Sequence, residues 1–181
     1  LARYDREGGQ ADFDFAAADV ILSLGSDCFY QHPAALRYVR AFSSRRRREQ
    51  GKASLNRFYA LEPTLSLTGA MADFRLALAP DRFPAVLNAL AAAVDGTPRA
   101  EGLSAQEEAL VRDCAAQLAG PAKAGVCVVG EEMPDELHQW ADTFNRRFGR
   151  GAARRLSAVR SDADPRSRGG LDELMTALTA D

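Results

Sequence analysis

Asp19-Val20-Ile21-Leu22-Ser23-Leu24-Gly25-Ser26-Asp27 is the stretch that decides the fold. A short apolar run that stops at a Gly-Ser-Asp cluster and is soon followed by a helical pattern reads as a buried parallel strand. Helices cover both faces of such a strand, so no polar alternation is needed. In open α/β sheets ligands sit just beyond the carboxyl ends of the strands. Gly25 to Asp27 is therefore the first place to look for a function.

Working outward, residues 1–18 read as polar and irregular, with Gly8-Gly9 as a breaker. Downstream, a helix is expected from Pro33, a favoured first-turn residue. Its inward face is Ala35, Tyr38, Val39 and Phe42, and it runs out through Arg45 to Arg48 toward Gly51. Leu55 to Leu61 reads as a second strand and Phe74 to Leu78 as a third. The next helix is expected from Asp81 as N-cap, with Val86, Leu87, Leu90 and Val94 inward. Residues 97–102 read as a linker. Ser104 and Glu107 form a capping-box pattern for a helix facing inward with Leu110, Val111, Cys114 and Leu118. Gly125 to Val129 is the second buried-strand signal. Pro134 opens a helix whose face is Leu137, Trp140, Ala141, Phe144 and Phe148, closed by Gly149. Arg155 to Val159 is a further candidate strand, 161–170 a polar loop, and Leu171, Leu174, Met175 and Leu178 mark a last helix.

Strands alternating with helices predict an α/β fold: a mainly parallel, Rossmann-like sheet flanked by helices, with right-handed crossovers. Two successive β/α units are expected, 1–100 and 101–181, the second truncated. Leu1 in place of Met reads as a piece of a longer chain, whose targeting segment would lie outside it.

The composition is that of a soluble globular chain: 181 residues, 46% hydrophobic, 27% charged and a net charge of −2. That charge gives no global attraction to nucleic acid or anionic membrane. No apolar run approaches the roughly 20 residues that span a bilayer. The three cysteines, Cys28, Cys114 and Cys127, are too widely spaced for a disulfide framework or a zinc or iron–sulfur set. Cys114 and Cys127 read as small buried hydrophobes, and Cys28 as the accessible one.

The strand ends carry the candidate chemistry. Gly25-Ser26-Asp27 and Gly130-Glu131-Glu132 each offer one glycine where a phosphate-binding turn needs several, and the two glutamates repel a pyrophosphate. Glu62 could accept hydrogen bonds from a ribose, or simply end its strand beside Pro63. His32 lies near Cys28, but no base, orienter or oxyanion donor can be named beside the pair. His138 is set to pair with Asp142 one turn on. The Arg45 to Arg48 run, with Arg37 and Arg40, reads as a solvated helix end, with a contact to a partner protein as the alternative.

The stretches Ala18 to Asp27, Arg37-Tyr38-Val39-Arg40, Glu62-Pro63-Thr64, Thr68-Gly69-Ala70, Ala72-Asp73-Phe74-Arg75 and Ala79-Pro80-Asp81 together resemble the molybdopterin oxidoreductase superfamily. There an "ADxI…GxN" strand end is followed by "DPR…T…AD…IRPGTD". Ser104 to Leu118 followed by Gly125 to Gly130 resembles that family's next α/β unit. Within the superfamily the chain is most similar to the molybdopterin-like domain of the iron–sulfur subunit of alternative complex III, a quinol-oxidising bacterial respiratory complex. The phrase Leu137-His138-Gln139-Trp140-Ala141 supports that narrower match. The resemblance covers nearly all of the chain.

The departures from the family pattern fall on its cofactor loops. The family's Asn is Asp27, its "DPR" is Glu62-Pro63-Thr64, and its "RPGTD" is reduced to Ala79-Pro80-Asp81. Positive charge and backbone access for a dinucleotide phosphate are both lost. The resemblance therefore implies a non-catalytic scaffold or docking module of a membrane-associated electron-transfer complex, on the periplasmic side and docked to redox subunits. It implies no cofactor in this piece, with iron–sulfur clusters elsewhere in the parent. Gly25, Asp27, Glu62, Thr64 and Asp81 would be a vestigial cofactor site. The alternatives are a fragment that still binds a guanine-dinucleotide pterin through those residues, and a protein-interaction module using Arg45 to Arg48.

Overall fold

The computed structural model describes residues 10–47, 55–98, 101–120 and 122–156. Its elements are β1 (Gln10–Phe13), β2 (Val20–Leu24), α1 (Ala35–Arg46), β3 (Arg57–Glu62), α2 (Leu67–Ala70), β4 (Phe74–Ala77), α3 (Phe83–Asp95), α4 (Ala105–Leu118), β5 (Gly125–Val129), α5 (Asp135–Phe148) and β6 (Ala153–Leu156). Four strands form an all-parallel sheet in the order β4-β3-β2-β5. The sequence expectation of a parallel α/β sheet flanked by helices therefore holds. Strand β5, from the second predicted unit, pairs directly with β2 of the first, Leu22 opposite Cys127.

All five residues of β2 are buried, which is why the run shows no polar alternation. Its side chains still alternate between two cores. Val20, Leu22 and Leu24 join Tyr59, Leu61 and Cys127 under α3, α4 and α5. Ile21 joins Phe58, Val126 and Val128 under α1. Burying each such Leu or Ile contributes about 1.5–3 kcal/mol. On the α1 side, Phe29, Phe42 and Phe58 pack with ring centroids 5.1 to 5.5 Å apart. Cys114 and Cys127 are buried as expected, and so, against expectation, is Cys28.

Local signals account for most boundaries. Ser104 and Glu107 form the expected reciprocal capping box at α4, and Gly96, at φ 67°, ends α3 in the left-handed conformation. Asp81 is not an N-cap. It lies in a 3-10 turn, Pro80–Arg82, and α3 starts after it with Arg82 at the cap position. Arg82 instead reaches Glu107, donating from Nε at 3.0 Å and from its terminal nitrogen at 2.6 Å. This ties the start of α3 to the start of α4.

One strand was not foreseen. Residues 10–13 are a strand, not an irregular segment, and they pair antiparallel with β6 in a separate two-stranded sheet. β6 overlaps the candidate strand Arg155 to Val159, of which residues 157–159 lie outside the described residues, and it stands apart from the main sheet, where Asn145 of α5 already occupies the outer edge of β5. Cys127 N–H donates to Asn145 Oδ1 and Asn145 Nδ2 donates to the Cys127 carbonyl, both at 2.8 Å. One side-chain amide supplies the pair of bonds a neighbouring strand would make, which blunts an exposed edge. The loop expected at 161–170 and the helix through Leu178 lie outside the described residues.

Candidate functional site

In this strand order the chain reverses direction across the sheet between β2 and β5, and a ligand of an open α/β sheet sits at the carboxyl end of that pair. Here the two strand ends continue their ladders past the last paired residues. Gly25 N–H donates to the Leu61 carbonyl at 2.8 Å, and Gly130 N–H donates to the Leu24 carbonyl at 2.9 Å. The loops meet backbone to backbone: a Cβ on Gly130 would lie 2.1 Å from the Gly25 carbonyl oxygen. Gly25 has φ +58° and sits beneath the Met133 side chain, whose Sδ would be 2.7 Å from a Cβ there. Both glycines thus serve close packing within the chain.

Asp27, two residues on, is held by α2. Its Oδ1 accepts from Thr68 N–H at 2.9 Å and from Thr68 Oγ1 at 2.7 Å. Thr68 Oγ1 in turn accepts from Phe29 N–H at 2.9 Å. Glu62 is only 3% exposed, so its carboxylate must be paired internally. Oε1 accepts from Ser66 N–H at 3.2 Å and Arg75 Nε at 2.5 Å, and Oε2 accepts from Ser66 Oγ at 2.6 Å. Ser66 Oγ also caps α2 by accepting from Gly69 N–H at 2.9 Å. The Glu62 carboxylate lies so close over α2 that a Cβ on Gly69 would meet Oε1 at 1.9 Å.

The predicted site residues therefore do come to the carboxyl end of the sheet, but the two carboxylates among them nearest its centre, Asp27 and Glu62, grip α2. Asp27 holds Thr68, Glu62 holds Ser66, and Thr64 stands exposed in the turn between Glu62 and α2. Asp81 is exposed beyond β4, at the far side of the sheet from β5. Sequence reasoning missed Ser66, Thr68, Arg75 and Met133. No sequence signal distinguishes them from their neighbours, because each takes its role from a partner that only the fold brings near.

The groups near Asp27 are poorly set for chemistry. Cys28 is buried, and desolvation pushes its thiol up to about 12. A thiol so held is not a nucleophile near neutrality. His32 is held below its usual pKa, mainly by burial. Its Nδ1 accepts from Ala34 N–H at 3.0 Å, and its ring packs on Tyr38 at 4.7 Å. Asp142 takes Arg146 at 3.0 Å. Among the described residues no three His, Cys, Asp or Glu side chains stand close enough to hold a metal ion.

Two residues of the arginine run, Arg45 and Arg46, bond within the chain, while Arg47 stands exposed. Arg45 donates to the Ala16 carbonyl at 2.8 Å and to Asp19 at 2.5 Å. Arg46 bonds Asn56 through its side chain and its carbonyl and forms a bidentate pair with Asp73. Arg48 lies outside the described residues.

A guanine-dinucleotide tail does not fit this arrangement. Met133 fills the place of closest backbone approach, Asp27 Oδ1 is engaged by Thr68 and both Glu62 oxygens by Ser66 and Arg75, and the exposed loop after β5 is acidic. Neither a scan against protein-family models nor a search of the curated proteins returned a match to this chain.

Proposed function

We propose that this chain is a scaffold and docking module of a bacterial, membrane-associated electron-transfer complex of the quinol-oxidising type, descended from a molybdopterin-oxidoreductase fold. Its work is to present surfaces to redox subunits on the periplasmic side, while iron–sulfur clusters elsewhere in the assembly carry the electrons. The observation that carries this reading is the Met133–Gly25–Gly130 contact. The ligand position of the sheet is filled by the chain's own atoms, while the parallel sheet that would frame a ligand is intact. A fold kept with its crevice closed is expected of a part retained for its surfaces. Among the described residues no helix is long and apolar enough to cross a membrane, so membrane association in this reading runs through partners.

The test is to tag the full chain in its native host and fractionate detergent-solubilised membranes. The expected result is co-migration with haem- or iron–sulfur-bearing subunits, seen in optical and electron paramagnetic resonance spectra, without stoichiometric pterin fluorescence. A chain that migrates alone, or that carries one pterin per polypeptide, overturns the proposal.

A further inference from the structure

Between Glu62 and Asp73 the sequence carries no Asp, Glu, Lys or Arg. Such a stretch would ordinarily be buried, yet Leu65, Leu67 and Met71 are 63%, 59% and 43% exposed. Tyr30, 68% exposed, belongs to the loop that the Asp27–Thr68 bonds pin onto α2. Scattered apolar side chains on a surface need no explanation, but a charge-free group of them on one rigid turn marks an interaction surface. The turn is rigid because Glu62, Ser66, Thr68 and Asp27 hold it from both sides.

The flank of this strip has a definite charge. Across the Gly25–Gly130 contact the chain continues into Glu131 and Glu132, both exposed, and then into Asp135 and Glu136 in the first turn of α5.

We infer that Tyr30, Leu65, Leu67 and Met71 form a docking surface for a partner-protein helix with an apolar stripe and Lys or Arg along one border, the basic border lying against Glu131 and Glu132. The inference rests on the docking reading above and assigns it a surface. An anionic lipid surface fits poorly, because the acidic flank is repelled by it. A second copy fits poorly too, since an isologous contact through this patch brings no cation to the acids.

The experiment places the photo-crosslinker p-benzoylphenylalanine at Leu65 in the full chain, expressed in the native host, with Asn88 on α3 as the control position. Crosslinked peptides are identified by mass spectrometry. Support is one partner peptide with apolar residues bordered by Lys or Arg, absent from the Asn88 sample. Its yield should fall several-fold with Leu67→Glu, with Glu132→Lys and with added salt. Leu67 is exposed, so its variant should keep the wild-type circular dichroism spectrum. Crosslinks to a second copy or to lipid, to the same peptides as Asn88, or insensitive to Glu132→Lys overturn the inference. Co-migration with redox subunits but no specific crosslink from Leu65 overturns the surface and leaves the docking reading standing. A specific basic partner outside any redox assembly does the reverse.

Discussion

The two ends of the parallel sheet are closed in different ways. At the amino end the fastening is ionic: Arg45 grips Asp19, and Arg46 grips Asp73 and Asn56, joining the tail of α1 to the starts of β2, β3 and β4. At the carboxyl end the fastening between β2 and β5 is steric and apolar, with Met133 on Gly25 and Gly130 on the Gly25 carbonyl. The contrast shows where this chain spends its positive charge. Arg45 and Arg46, from the run that would suggest an anion-binding surface, are engaged at the end where an α/β sheet binds nothing. The end where ligands bind is left acidic and apolar.

The largest expected effect comes from forcing the apolar closure apart. Gly130→Ala puts a methyl group on the Gly25 carbonyl, where the atoms it meets are the backbone of Gly25 and Ser26 and no side chain is free to yield. It should cost about 3 kcal/mol, the upper range for overpacking, measured as a lowered urea midpoint. Met133→Ala should cost about 2–3 kcal/mol by leaving a cavity. It also makes the closure testable by coupling. In the Met133→Ala background, Gly25→Ala escapes the thioether and retains only the left-handed φ penalty of about 1–2 kcal/mol. In wild type it meets both, so the two substitutions should be non-additive in a double-mutant cycle. Additivity would show that Met133 does not bear on Gly25.

The ionic end should yield less, and in a salt-dependent way. Arg46→Ala leaves Asn56, which is buried, and Asp73 without their guanidinium partner. The expected loss is about 1–2 kcal/mol, smaller at high salt, whereas the Met133→Ala loss should not shrink with salt.

Acid separates the ionic fastenings from the apolar one. Arg82, with help from the Ser104 N–H, holds the Glu107 carboxyl down to about 2, against an ordinary value of 4.5. Asp73 is also held below its ordinary value, the Arg46 and Phe58 N–H bonds outweighing its burial. A carboxylate whose folded pKa is depressed contributes stability above its unfolded pKa and loses it as pH falls through the folded one. Thermal stability should therefore decline between about pH 4.5 and pH 2, and Glu107→Gln should flatten part of that decline. An unchanged slope in that variant contradicts the pairing.

Much of this was legible beforehand because each signal was local. The unbroken apolar runs at Val20 to Leu24 and Gly125 to Val129, the capping box at Ser104 and the helical spacing of Leu110, Val111, Cys114 and Leu118 each depend on a few neighbouring residues. The strand at Gln10 to Phe13 was not legible, because it forms only against β6, far along the chain. The site was legible in position but not in role. That Asp27 and Glu62 end strands is visible in the sequence. That both carboxylates turn onto one four-residue helix depends on Thr68 and Ser66, which pattern alone does not distinguish from any other polar loop residues. Met133 was missed for the same reason: a methionine in a loop carries no directional signal until the opposing glycine is placed beneath it.

The central claim is that the ligand position at the β2–β5 carboxyl end is filled by the chain itself. Thermal unfolding of the purified chain across a GDP series up to about 10 mM tests it most directly, since a ligand at about 100 times its Kd adds roughly 2.7 kcal/mol to stability. The expected result is an unfolding midpoint that does not move with GDP, in wild type and in Glu62→Gln alike. A midpoint that rises with GDP concentration in wild type and not in Glu62→Gln would show that the crevice opens to a nucleotide, and would contradict the claim.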